Sequence, residues 1–98
     1  MIRRTYLIEN EIGLHARPAA VFVDYAGDFN SEIKLCYQGK EVNAKSIISV
    51  LSLGLGKGDV FTLIVEGEDD ESALKTLEDF ILNNIGQKKD NLKKENNE

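Results

Sequence analysis

Val60-Phe61-Thr62-Leu63-Ile64-Val65 is a nearly continuous apolar run, approached through Gly54, Gly56 and Gly58. A short run of this kind predicts a central, well-buried strand. Such a strand needs neighbouring strands and helices over at least one face, and the rest of a 98-residue chain has to supply them as a single domain.

The remaining patterns provide those parts. Ile2 to Ile8 is strand-like and ends at the polar Glu9-Asn10-Glu11 cluster. Between Ala16 and Ala26 the period changes: Ala19, Phe22, Val23 and Ala26 mark the apolar face of a helix, with Gly27 as its C-terminal stop. Alternation in Glu32 to Tyr37, the turn pair Gln38-Gly39 and Lys40 to Asn43 predict a hairpin. Ser46 to Leu53 predicts a short helix with Ser46 at its N-cap and Gly54 just beyond. Asp69, Asp70 and Glu71 open a last helix with their carboxylates toward its positive end, and Ala73, Leu74, Leu77, Phe80, Ile81 and Ile85 repeat at helical spacing up to Gly86. The order βαββαβα predicts an α+β fold in which three helices cover one face of an antiparallel sheet of four strands. The domain is expected to span residues 1–86, and residues 87–98, with Leu92 as their one apolar side chain, read as a charged, disordered tail.

Several function classes are disfavoured at this point. A net charge of -5 argues against general affinity for nucleic-acid phosphates or anionic lipid. An RNA-binding sheet would also want an aromatic-rich strand motif, which these strands lack. The apolar runs are too short for a membrane span, and the first residues lead straight into a strand pattern. One cysteine, Cys36, forms no internal disulfide, and with His15 alone it makes no metal site. Gly56-Lys57-Gly58 lacks the residues of a P-loop. No cofactor or metal is expected, and the cytoplasm is the expected compartment.

Gly13-Leu14-His15-Ala16-Arg17-Pro18 carries the chemistry, because it sets the only histidine just before the first turn of a helix. Unpaired N–H groups and roughly half a positive charge make such a helix end a binding place for phosphate, here from Ala16, Arg17 and Pro18 onward. Proline suits a first turn, but the residue before it resists the helical region, so a local conflict is expected at Arg17. Taken singly, His15 is a weak cap, Arg17 a solvated charge and Pro18 a helix starter. Together they favour an anion-handling site. A neutral imidazole is a competent nucleophile, and once it carries a phosphoryl group the helix end and the Arg17 guanidinium stabilise the added charge.

Gly13-Leu14-His15-Ala16-Arg17-Pro18-Ala19-Ala20, with Asn43-Ala44-Lys45-Ser46-Ile47 and Ser52-Leu53-Gly54-Leu55-Gly56, resembles the HPr family, the phosphocarriers of the bacterial phosphoenolpyruvate-dependent sugar phosphotransferase system. The resemblance covers residues 1 to about 85 and implies an open-faced β-sandwich. It also implies that His15 accepts a phosphoryl group on Nδ1 from phosphorylated enzyme I and passes it to IIA-type permease components, with Arg17 stabilising the group. The chain would then be a carrier without net catalysis of its own.

Five of the seven residues from Ile47 to Leu53 are apolar, more than one face of a short helix can bury, so an exposed docking patch is expected. The resemblance places Ile47, Ile48 and Leu51 there as partner contacts. It also makes Ser46 a regulatory serine, implying an HPr kinase/phosphorylase and a catabolite repressor protein as further partners. Phosphate at Ser46 would add charge beside the patch and slow the charging of His15. A purely regulatory chain acting through Ser46 is the competing expectation, against which the retained His15, Arg17 and Pro18 weigh. Fast, transient exchange with partners implies small interfaces and a monomeric resting state.

Overall fold

The computed structural model describes residues 1–89. Their elements are β1 (Ile2–Ile8), α1 (Ala16–Gly27), β2 (Glu32–Tyr37), β3 (Lys40–Asn43), α2 (Ile47–Leu51), β4 (Val60–Glu66), α3 (Asp70–Asn84) and β5 (Gly86–Lys88). The strands form one antiparallel sheet in the order β3-β2-β4-β1-β5. The apolar run is thus flanked on both sides, with Leu63 opposite Leu35 of β2 and Arg4 of β1.

Alternation along β4 sorts the side chains by face. Phe61, Leu63 and Val65 join Tyr6, Ile8, Ile33 and Leu35 in the core beneath the helices. Ala19, Phe22 and Ala26 of α1 and Ala73, Leu77 and Ile81 of α3 close that core. Each large side chain buried there contributes about 2 kcal/mol. Thr62 and Ile64 point to the opposite face, where the Thr62 hydroxyl meets that of Thr5 at 3.1 Å. Ile64 is nevertheless only 5% exposed; its cross-strand neighbours are Arg3 and Lys34, long side chains of the kind that can cover apolar surface with their aliphatic stems.

Helix α1 runs through Gly27 and is capped by Asp28, whose N–H reaches the carbonyls of Tyr25 and Ala26. Helix α2 is one turn, shorter than Ser46 to Leu53, and Val50 anchors it in the core. No described helix is long and apolar enough to cross a membrane.

The expected sheet of four strands is corrected to five. Gln87 and Lys88, which the sequence reading assigned to the tail, belong to β5, and residues 90–98 of that tail lie outside the described residues. Hydropathy does not mark this strand; the free edge of β1 does. Ile8, Leu7 and Tyr6 pair with Gly86, Gln87 and Lys88. Position 86 admits no side chain, since a Cβ there would lie 1.7 Å from the Leu7 carbonyl oxygen. The buried Tyr6 hydroxyl donates to Glu78 Oε2 at 2.6 Å, and Lys88 Nζ sits 3.1 Å from Glu78 Oε1, tying β5 to α3. Burial and then the Glu78 carboxylate push the Tyr6 phenol far above its ordinary range.

Asp69 also departs from expectation. It precedes α3 but makes no side-chain cap, whereas Asp70 and Glu71 lie in the first turn as predicted. The Asp69 carboxylate instead accepts from the backbone N–H groups of Asn30 at 2.8 Å and Ser31 at 2.9 Å, and from the Ser31 hydroxyl. Those bonds, the Ser31 hydroxyl foremost, hold its carboxyl below the ordinary 3.8. The stability it contributes is therefore complete above that pH and is lost as pH falls through the depressed folded value. Asp69→Asn is expected to lower the urea midpoint at about pH 7, with the difference from the unsubstituted protein shrinking toward about pH 2.5. An equal difference at both pH values would contradict this assignment.

Candidate functional site

The segment between β1 and α1 is fixed before it reaches His15. Asn10 Oδ1 accepts from the Gly13 N–H at 2.9 Å, while Asn10 Nδ2 donates to the Asn84 carbonyl at 2.8 Å. Gly13 has φ +68°, and a Cβ on it would stand 2.5 Å from the Leu55 carbonyl oxygen and 2.7 Å from Gly56 Cα. Leu14 is buried, and its N–H donates to the same Leu55 carbonyl at 3.1 Å. The chain is thus held by the end of α3 on one side and the 54–59 loop on the other.

His15 follows as the N-cap of α1, extended at φ -114° and ψ 163°. Its carbonyl accepts from the Ala19 N–H at 3.4 Å. Its side chain is exposed and makes no capping bond. The imidazole therefore belongs to the residue at the positive end of a 12-residue helix and is not engaged in a capping bond.

The conflict expected at Arg17 falls instead on Ala16, whose φ is +42°. Arg17 lies within the helix, and the change from extended His15 to helix is made at Ala16. For a residue with a Cβ this left-handed conformation costs about 1–2 kcal/mol and persists only where its surroundings impose it. Pro18 fixes backbone direction in the first turn but has no N–H to offer a phosphate, so the free amides there belong to Ala16 and Arg17. Arg17 is exposed, forms no ion pair among the described residues, and borders an apolar groove with Ile12, Pro18, Val21 and Phe80.

Helix α2 packs beside α1. Its N-cap is Ser46, whose Oγ accepts from the Ser49 N–H at 3.3 Å. The expected apolar patch is present but narrower than predicted: Ile48 is 79% and Leu51 38% exposed, while Ile47 is partly buried against the core. Sequence reasoning missed Asn10, Leu55 and Asp59, which hold the loops around His15. Asn10 and Gly13 carried a signal, a polar turn, but nothing in it announced the contact with the 54–59 loop behind His15.

A sequence model of the HPr family, described as the PTS HPr component phosphorylation site, matches residues 2–83. The chain is 46% identical over 81 residues to the HPr-like protein Crh of Halalkalibacterium halodurans, covering 83% of this chain and 96% of that one. It is similar in structure to HPr-C-His from Thermoanaerobacter tengcongensis, with a TM-score of 0.80 and 49% identity over 83% of this chain and 91% of that one. The crystal structure of the Bacillus subtilis catabolite repression protein Crh, described as a domain-swapped dimer, matches with a TM-score of 0.68 and 40% identity over 89% of this chain and all of that one. Fold, loop geometry and these matches together place the chain in the HPr family, the phosphocarriers of the phosphotransferase system.

Proposed function

We propose that the chain is a phosphoryl carrier that takes its group from phospho-enzyme I and hands it to IIA-type permease components, working in the cytoplasm. The observation that carries this reading is His15 itself: exposed, uncapped, at the positive end of α1 and followed by the left-handed Ala16. The Nδ1 lone pair of the neutral imidazole forms the new bond to phosphorus as the donor's bond to phosphorus breaks and its electron pair stays with the donor. The N–H groups of Ala16 and Arg17 and the Arg17 guanidinium then stabilise the phosphoryl oxygens. Transfer to IIA reverses these steps, so the chain turns over only between partners.

Ile48 and Leu51, with Ile47 at the edge, form the docking patch for both partners. Ser46 is the regulatory position, addressed by an HPr kinase/phosphorylase, and its phosphorylated form engages a catabolite repressor protein. Phosphate on Ser46 adds up to two negative charges next to the patch and opposes docking of an acidic donor. Ser46→Asp is expected to lower kcat/KM for phosphoryl uptake roughly tenfold, about 1.4 kcal/mol, in a stopped-time labelling assay; an unchanged value would remove Ser46 from the docking account.

The test of the carrier reading is a relay. Labelled phosphate from phosphoenolpyruvate should pass through enzyme I and this chain to a IIA domain, and omitting the chain should stop it. A second reading, regulation alone, is favoured by the likeness to Crh of Bacillus subtilis, described as a catabolite repression protein. It predicts Ser46 phosphorylation by the kinase with no relay to IIA. The resting state is proposed to be a monomer, and sedimentation distinguishes it from a dimer like that described for Bacillus subtilis Crh.

A further inference from the structure

The loop that backs His15 contains Gly54, Gly56 and Gly58 and would be loose on its own. One side chain closes it. Asp59 Oδ2 accepts from the Gly56 N–H at 2.9 Å, and the Asp59 N–H donates to the Gly56 carbonyl at 3.0 Å. Asp59 Oδ1 accepts from the Tyr37 hydroxyl at 2.9 Å, joining the loop to the end of β2. The Asp59 carbonyl and the Gly58 N–H are bonded to Ile8 at 2.9 and 2.8 Å, so the turn is also fixed to the end of β1.

Leu55, fully buried, and Gly56 occupy this closed turn, and they are the backbone atoms against which Gly13 packs. The Leu55 carbonyl takes the Leu14 N–H, and His15 is the next residue. A shift of the turn therefore reaches His15 through two consecutive residues, and the left-handed Ala16 lies immediately beyond.

We propose that Asp59 is a positioning residue for phosphoryl transfer, holding the 55–56 backbone so that Gly13 and Leu14 present His15 at the N-terminus of α1. The inference rests on the reading of His15 as the acceptor. Asp59 touches no phosphoryl group; it acts on orientation, where a displacement of an ångström changes rates strongly. The hydrogen bonds of Asp59 go to Gly56, Tyr37 and Ile8, and none goes to the docking patch on α2.

The test uses enzyme I and phosphoenolpyruvate with the carrier as varied substrate. Asp59→Ala is expected to reduce kcat for uptake about tenfold with KM unchanged, and Asp59→Asn to restore it, because the amide keeps an acceptor for Gly56 and a polar partner for Tyr37. Tyr37→Phe leaves the Gly56 bond in place and is expected to lower kcat about threefold, a usable readout even if Asp59→Ala does not fold. Wild-type kcat in folded Asp59→Ala, a rise in KM alone, or no rescue by Asn would overturn the inference. If the unsubstituted chain takes up no phosphoryl group, the carrier reading fails instead. Backbone amide shifts of Gly13 and Ala16 in Asp59→Ala then still judge the brace, which predicts that both move and is refuted if neither does.

Discussion

His15→Ala is expected to abolish phosphoryl uptake from phospho-enzyme I, leaving no acid-labile phosphate on the chain. The effect is total because the substitution removes the atom that forms the bond, whereas every other contribution at the site acts on the same bond's stability or geometry. His15 is the only histidine in the chain, so no neighbouring imidazole can take its place. Little should happen to the fold: His15 is exposed and its side chain caps nothing. Labelling with phosphoenolpyruvate and enzyme I, alongside a thermal melt, checks both parts. Residual acid-labile label in the variant would move the acceptor elsewhere.

Gly13→Ala is the second large effect, and it falls on stability. The new Cβ meets backbone atoms of Leu55 and Gly56 at 2.5 and 2.7 Å, and the residue must hold φ +68°. The left-handed backbone costs an alanine about 1–2 kcal/mol, and relieving the contact displaces backbone that Asp59 and Leu14 fix in place. A loss of about 3 kcal/mol is expected, which lowers Tm by roughly 15 °C in a domain of this size. Uptake at His15 should fall as well, since the same loop presents it. A loss below about 1 kcal/mol in urea unfolding would mean that the 54–59 loop yields easily.

Much of the fold was legible because burial imposes period on sequence. The apolar run of β4 lies between two strands, and Ala19, Phe22 and Ala26 point inward from α1 as their spacing required. Strand β5 was not legible: Gly-Gln-Lys carries no apolar pattern, and its state is imposed from a distance by the open edge of β1 and by Glu78. Asp69 shows the same limit. Its position announced a helix start, yet three donors from residues 30 and 31 claim its carboxylate, and those donors are close only in the folded chain.

At the site, the segment around His15 was readable because helix ends have fixed chemistry. The strain was assigned one residue late, to Arg17, because the rule for a residue before proline is local. The turn into α1 is governed instead by what holds Gly13 and Leu14. Likewise, the apolar excess of Ile47 to Leu53 announced an exposed patch, but which members are exposed depended on how α2 lies against the core, and Ile47 turned partly inward.

The central claim is that His15 carries a phosphoryl group, and intact-mass measurement of the unsubstituted chain after incubation with phosphoenolpyruvate and enzyme I tests it most directly. The account predicts a single phosphoryl increment that disappears in acid and maps to His15. No increment, with the same enzyme I active toward another carrier, or an acid-stable increment on another residue, would contradict it.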